Sequence, residues 1–317
     1  MKVDLLPEQM TRLVRRVFAD AEITSCRLTP AAPHHTAYDL VLSNLTTPVR
    51  LKLYSEDDER QTLRKEIHLL GILTSETGVP VPRVLHFEEH LPEDGFSSMD
   101  SCPWTLHTRL PGQPLSQLVD AMDKWEQESI GYEMGRYLAH IHRIPVDEFG
   151  ELFVPGPYNR GSEQEYVLSQ STAWLDICTE TARLPPNTIQ ALLDHLTQTE
   201  ILNRSQACLI HGEYTPENIV VEHGATGYHV TGVLGFAYAQ GGSPEQDMSK
   251  LFVHSLHNSP TLQKGFLDGY TESGELGATF WERMELYKLF SCLQAICRTV
   301  PSKLADTCTQ YLIDKQL

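Results

Sequence analysis

Hydrophobic positions in the first third of the chain follow two different periods. Near the N-terminus they recur at helical spacing among charged residues, which predicts an amphipathic surface helix that carries Leu5, Leu6, Leu13, Val14, Val17 and Phe18. Over residues 25–55 the period is two, so we expect strands in SCRLTP, AYDLVLSN and PVRLKLYSE. Helical spacing returns in DDERQTLRKEIHLLGILTSETG, whose apolar face holds Leu63, Ile67, Leu70 and Leu73.

The rest of the chain adds two strands and then becomes mostly helical. The strands are predicted in VPVPRVLHFEE and SCPWTLHTRLPG, and amphipathic helices in KWEQESIGYEMGRYLAHIHRI, EQEYVLSQSTAWLDICTE and PNTIQALLDHLTQTEIL. A hairpin is predicted in NIVVEHGATGYHVTGVLGF, with helices from there to the end. Strands first and helices second indicate an α+β protein of two lobes, a β-rich lobe at 1–103, a hinge at 104–112 and a helical lobe at 113–317.

Composition narrows the class of protein. The chain has 317 residues, of which 41% are hydrophobic and 21% charged, as is typical of a soluble globular protein. We expect no membrane span and no secretory signal, since uncharged stretches are short and the N-terminus is amphipathic. Seven cysteines without paired spacing predict reduced thiols in a cytoplasmic protein, with Cys292 and Cys297 packed in a helix rather than bound to a metal.

The formal charge of −17 bears on the kind of partner. An acidic surface repels nucleic acid and anionic membranes and attracts cations. We therefore expect no nucleic acid and no membrane as partners, and a small polar, possibly cationic molecule as the ligand. The alternative is that the acidic surface serves solubility alone.

Short motifs then occur in a recognisable order. The segment LIHGEYTPENIVVEHGATGYHVTGVLGFAYAQGGSPEQDMSKLF resembles the active-site segment of the aminoglycoside phosphotransferase family, which is related to choline kinase. Upstream, Lys52, Glu66 and VPVPRVLHFEE are similar to that family's small lobe, and LPGQPL, MGRYLAHIHRI and FLDGY to its large lobe. The resemblance implies a bilobal protein-kinase-like fold. Its small lobe has an antiparallel sheet and one main helix, and its helical lobe has a catalytic-type loop at 209–247 and substrate-type helices at 160–200.

The resemblance also implies roles for individual residues. Lys52 contacts nucleotide phosphate and pairs with Glu66, while Asn218 helps to hold magnesium. His211 supports the catalytic loop, and Asp247 is a structural residue. For an active member, ATP and Mg²⁺ are the implied cofactors.

Two acidic positions of the family pattern are altered in this chain. Glu213 stands where the family has the aspartate that acts as base, and its extra methylene displaces the carboxylate by roughly an ångström, a shift that can cost on the order of 10²-fold in rate. Gly235 stands where the family has its metal-binding aspartate, and glycine offers no ligand. In addition, no glycine lies between Cys26 and Lys52, where His34 and His35 occupy the expected phosphate-covering turn.

The family's acceptor substrate lies among the helices of residues 160–200. Tyr166, Trp174 and Asp176 occur there, and an aromatic ring beside carboxylates can hold a cationic molecule. The alternative for these residues is ordinary helix packing with solvated charges.

Three hypotheses for function follow. The first is a pseudokinase-like protein that binds a small molecule or partner with weak or no phosphotransfer. The second is an active ATP-dependent phosphotransferase of a small polar or cationic metabolite, with Glu213 as base. The third is a repurposed, non-kinase biosynthetic enzyme that uses the same cleft.

Overall fold

The computed structural model describes residues 5–29, 35–54, 59–91, 102–153, 160–197, 200–204, 206–254, 256, 259–297 and 303–315. The chain divides into two compact units, of which the first comprises Met1–Pro111 with Gly232–Ala237 and the second Gly112–Thr231 with Tyr238–Leu317. Residues 232–237, which the sequence pattern assigned to the helical lobe, therefore belong to the first unit. The N–H of Val233 donates to the carbonyl of Pro80 at 2.8 Å and ties this segment there.

The first unit has the predicted helix, strands and second helix. Its elements are α1 (Pro7–Val17), β1 (Ile23–Leu28), β2 (His35–Leu42), β3 (Val49–Tyr54), α2 (Glu59–Glu76), β4 (Val84–Glu88) and β5 (Trp104–Thr108). The strands form one antiparallel sheet in the order β1-β2-β3-β5-β4. β1 pairs with β2, β2 with β3 and β4 with β5, whereas α2 lies between β3 and β4 in the chain and β5 is the second neighbour of β3.

The two faces of this sheet differ because side chains alternate along a strand. One face holds Leu40, Leu51 and Leu106, which are buried against Leu13 and Val14 of α1. Leu13 and Val14 of the predicted apolar stripe thus cover the sheet, whereas Leu5 and Leu6 lie before the first residue of α1 and Leu6 is exposed. The other face carries the polar positions of the same strands, including Lys52.

The second unit is mostly helical, as predicted. Its helices are α3 (Lys124–His142), α4 (Glu163–Glu180), α5 (Pro186–Thr197), α6 (Pro244–His254), α7 (Pro260–Ser273), α8 (Phe280–Cys297) and α9 (Lys303–Asp314). Short strands form two three-stranded sheets from β6 (Gln113–Pro114), β7 (Pro145–Val146), β8 (Ala207–Ile210), β9 (Ile219–Gly224), β10 (Gly227–Val233) and β11 (Gln240–Gly242). Asp123 caps α3, since its carboxylate accepts from the N–H of Glu126 at 2.8 Å.

Helices α3 and α7 pack through two glycine pairs with four-residue spacing. Gly131 and Gly135 of α3 face the backbone of α7, and Gly265 and Gly269 of α7 face the backbone of α3. A methyl group at any of the four positions would overlap a carbonyl oxygen of the opposite helix. The absence of side chains therefore allows the two backbones to touch, in the manner of small residues at close helix crossings.

Helices α4, α5, α8 and α9 share a hydrophobic core. Within it, Cys178 of α4 and Cys297 of α8 form a disulfide, with Cα atoms 6.0 Å apart and a separation of 119 positions in sequence. This corrects the expectation of reduced thiols for these two residues, which helix packing brings together. Cys292 is a buried cysteine outside any disulfide, as expected. Across the described ranges, no helix is long and apolar enough to cross a membrane.

Candidate active site

The loop between β8 and β9 is organised by Asp247 of α6. The carboxylate of Asp247 accepts from the backbone N–H groups of His211 and Gly212, each at 2.7 Å, and from Nε2 of His142 at 3.1 Å. Asp247 is fully buried. Burial acts to raise its pKa, but the hydrogen bond and charge of His142, together with His211, outweigh burial and hold the pKa below its ordinary value. Asp247 thus anchors the loop.

His142 extends this anchor, and sequence reasoning did not single it out. Its Nδ1 lies 3.0 Å from the hydroxyl of Tyr270, so Tyr270, His142 and Asp247 form one buried chain of hydrogen bonds. His142 ends α3, where the sequence reads Leu-Ala-His-Ile-His. The signal was present in that motif, although spacing alone does not reveal which of the two histidines points inward.

The loop itself depends on a glycine and a buried histidine. Gly212 has φ +78°, and a Cβ there would overlap the carbonyl of Tyr238. His211 is fully buried, and its Nδ1 accepts from the N–H of Glu213 at 3.2 Å. Tyr214, also fully buried, donates its hydroxyl to the carbonyl of Met134 at 2.8 Å. These contacts fix the backbone on both sides of Glu213.

The carboxylate of Glu213 is paired with Lys250, a residue that sequence reasoning missed. Nζ of Lys250 lies 2.7 Å from Oε1 of Glu213 and 2.8 Å from the carbonyl oxygen of Gly212. The Lys250 side chain is 8% exposed and that of Glu213 20%. Lys250 follows Asp247 by three residues on α6, so one helical turn presents both side chains to the same loop.

The residues at the implied magnesium positions do not fit that ion. Magnesium in proteins leans on carboxylate oxygens. Gly235 has none, Asn218 offers a neutral amide whose Nδ2 donates to the carbonyl of Glu213 at 2.9 Å, and the Glu213 carboxylate already binds Lys250. Within the described part of the chain, no group of three or more His, Cys, Asp or Glu side chains is arranged to hold a metal ion.

In the first unit, the predicted lysine–glutamate pair is present. Nζ of Lys52 on β3 lies 3.5 Å from Oε1 of Glu66 on α2, and both side chains are largely buried. Gly235 belongs to the same unit and has φ +86°. Of the turn histidines, His35 begins β2, whereas His34 lies outside the described residues.

The three residues predicted at the acceptor region are dispersed on α4. Tyr166 is 3% exposed, its hydroxyl accepts from Nε2 of Gln240 at 2.8 Å, and burial raises its pKa to about 12. Trp174 packs on Phe290 with ring centroids 4.6 Å apart. Asp176 is exposed. This arrangement fits the packing alternative for Tyr166 and Trp174, and leaves Asp176 as a solvated charge.

Comparison with known proteins identifies the class of fold. The model of the phosphotransferase enzyme family matches residues 34–287. No curated protein matches the chain. Similar solved structures include the streptomycin–ATP complex of the aminoglycoside phosphotransferase APH(2″)-IIa, at 13% identity and TM-score 0.67, covering 98% of this chain and 97% of that one.

Two further structures have the same fold. The GDP complex of aminoglycoside 2′-phosphotransferase-IIIa is 13% identical with TM-score 0.68, and covers 98% of this chain and 99% of that one. A Haemophilus somnus protein assigned as a fructosamine-3-kinase is 18% identical with TM-score 0.63, and the match covers 98% of this chain and 97% of that one. The predicted bilobal, kinase-like α+β fold is thereby confirmed.

Proposed function

Since the chain belongs to the phosphotransferase enzyme family, we propose that it binds a small polar molecule without efficient magnesium-dependent phosphoryl transfer. The observation that carries this proposal is the contact between Lys250 and Glu213, at 2.7 Å. The net charge of −17 favours a ligand with cationic character.

The contact with Lys250 disfavours Glu213 in the role of catalytic base. A general base must lie within hydrogen-bond reach of the hydroxyl from which it takes a proton. Here an ammonium group already occupies one oxygen of the Glu213 carboxylate, and its second contact with the carbonyl of Gly212 holds it in place. An acceptor hydroxyl would therefore compete with a largely buried cation for that carboxylate.

The altered metal position supports the same conclusion. Phosphoryl transfer depends on metal ions that neutralise the charge on the phosphates. Gly235 contributes no ligand, and Asn218 contributes a neutral one. Position 235 has no carboxylate, and the carboxylate of Glu213 is already bound to Lys250. These are separate features, and each disfavours phosphoryl transfer.

An active phosphotransferase is the second candidate, and one observation favours it. The ion pair between Lys52 and Glu66, at 3.5 Å, retains the arrangement that positions a lysine toward nucleotide phosphate. Under this alternative, Glu213 is released from Lys250 when substrate binds. The same experiment separates the two candidates.

The test is calorimetric titration of the purified chain with ATP, in magnesium and then in EDTA, with an assay of ADP release in parallel. Gly235→Asp is compared with Gly235→Asn as a matched control. Both side chains tolerate a positive φ and have similar size, but only aspartate adds a carboxylate.

We expect no magnesium-dependent ATP binding in the unmodified protein and in Gly235→Asn. In Gly235→Asp we expect magnesium to tighten ATP binding by about tenfold, which corresponds to about 1.4 kcal/mol. Magnesium-dependent ADP release from the unmodified protein at roughly 1 s⁻¹ or faster, an ordinary enzymatic rate, would instead establish the second candidate.

A further inference from the structure

A row of charged and polar residues crosses the sheet of the first unit. Strand pairing aligns Arg27 of β1 with Asp39 of β2, Asp39 with Arg50 of β3, and Arg50 with His107 of β5. Because side chains alternate along a strand, Arg50 lies on the same face as Lys52, two residues further along β3. The row therefore lies next to the lysine–glutamate pair.

Asp39 is the centre of the row and holds three arginines. Nε of Arg50 donates to its Oδ1 at 2.7 Å and Nη2 of Arg50 to its Oδ2 at 3.1 Å. Nε of Arg109 reaches Oδ2 at 3.0 Å, and Nη2 of Arg27 reaches it at 3.4 Å. Burial acts to raise the pKa of Asp39, but Arg50 and Arg109 hold it below its ordinary value. One carboxylate thus faces three permanent cations.

Donors on two of these arginines remain unused. Arg50 and Arg109 each spend only part of the guanidinium fork on Asp39, and over the ranges that the structure describes their remaining N–H groups have no acceptor. Both side chains are 29% exposed, so they are accessible and partly desolvated. A guanidinium in this state is well suited to a bidentate bond with an oxyanion.

His107 adds a buried polar atom beside them. It is 2% exposed, and its Nε2 lies 2.7 Å from the hydroxyl of Thr105. Its Nδ1 has no hydrogen-bond partner among the described residues. A buried polar atom in this condition costs free energy unless a partner satisfies it.

From this geometry we infer that the face formed by Arg50, Arg109 and His107, beside but separate from the Lys52–Glu66 pair, binds a compact oxyanion, a phosphate or carboxylate group of a small molecule. Three cations outnumber the single carboxylate at the centre of the row, in a chain whose net charge is −17. The local charge therefore opposes that of the whole protein, which is the condition for selective attraction of an anion. This site is independent of phosphoryl transfer at Glu213.

The test is titration of the chain with inorganic pyrophosphate, citrate and adenosine, in EDTA at low salt. The main variant is Arg109→Gln, since Asp39 keeps its bidentate bond to Arg50 and the fold keeps its centre. The matched control is Arg16→Gln, which removes the same charge from an exposed ion pair with Glu88 on the same unit. A second variant, Asp39→Asn, removes the competing carboxylate.

We expect the unmodified protein to bind pyrophosphate. Arg109→Gln should weaken pyrophosphate binding about tenfold, because a charged hydrogen bond is lost. Arg16→Gln should change pyrophosphate binding less than about twofold. Asp39→Asn should tighten binding, whereas a merely structural row would show no such gain. Citrate binding without pyrophosphate binding would identify a carboxylate ligand. The inference is overturned if neither anion binds at millimolar concentration, or if adenosine binds as tightly as the anions. It is also overturned if Arg109→Gln and Arg16→Gln change anion affinity equally, or if Asp39→Asn weakens anion binding.

Discussion

Lys250 and Glu213 form an ion pair 2.7 Å long in which the lysine comes from α6 and the glutamate from the loop after β8. The same helix supplies Asp247, which anchors that loop through two backbone N–H groups. One helix therefore determines both the shape of the loop and the charge beside its carboxylate. Helix α6 is therefore part of the site.

Substitutions of Lys250 and Glu213 should have non-additive effects on the free energy of unfolding, because the two side chains form an ion pair. Breaking a fully buried pair costs about 3–5 kcal/mol. Because Glu213 is 20% exposed, we expect Lys250→Met to lower the free energy of unfolding by about 1–3 kcal/mol. Glu213→Gln combined with Lys250→Met should cost less than the two single losses added together. Urea unfolding of the four proteins measures this difference.

The control for the ion pair is Lys315→Met, which removes an exposed partner of Glu285. Surface pairs are worth roughly 0–1 kcal/mol, so this variant should lie close to the unmodified protein. If the Lys250 and Glu213 losses simply add, the contact carries no coupling and the structural basis of the proposed function is lost.

The glycine crossing of α3 and α7 should tolerate no methyl group. In Gly135→Ala, the new Cβ would overlap the carbonyl of Phe266, so the helices must separate. Overpacking of this kind costs about 1–3 kcal/mol or more. Gly71→Ala on α2 is the control, because nothing lies within 4 Å of its Cβ. It should be stabilising by about 0.4–1 kcal/mol. Thermal unfolding of both variants checks the contrast, and equal melting temperatures would contradict the close crossing.

His107 should impose a pH dependence on stability. Burial, assisted by the charge of Lys52, lowers its pKa from 6.5 to about 3. Between these values the unfolded chain binds a proton that the folded chain does not, so His107 reduces stability as pH falls from 6.5 toward 3. The limiting slope is about 1.4 kcal/mol per pH unit.

Replacement of that histidine tests the slope. His107→Gln should flatten the fall in the free energy of unfolding between pH 6 and 4, measured by urea titration at each pH. His195→Gln on α5 is the control, since His195 is exposed and the same substitution should leave the slope unchanged. An unaltered slope in His107→Gln would mean that the buried ring takes up a proton in the folded state.

Several features could be predicted because they depend on local periodicity. The period of two in AYDLVLSN and PVRLKLYSE becomes β2 and β3, and the helical spacing in EQEYVLSQSTAWLDICTE becomes α4 with the predicted bounds. The order of the motifs also indicated the family correctly, since the family model matches residues 34–287.

Other features required the tertiary structure. Nothing in the sequence shows that Gly131 and Gly135 lie against the backbone of α7. Likewise, the spacing of Cys178 and Cys297 does not suggest a disulfide. Lys250 was one charged residue among many on a helix. Its role arises only because Asp247 fixes α6 against the loop.

The sequence by itself therefore determined the main helices and the strands of the first unit, the family and the two altered acidic positions, Glu213 and Gly235. These are properties of single residues and of their near neighbours, and periodicity and motif order reveal them. The tertiary structure alone decided which charges meet, Lys250 with Glu213 and three arginines with Asp39. Electrostatic interaction depends on distance and burial, and neither can be read from the separation of two residues along the chain.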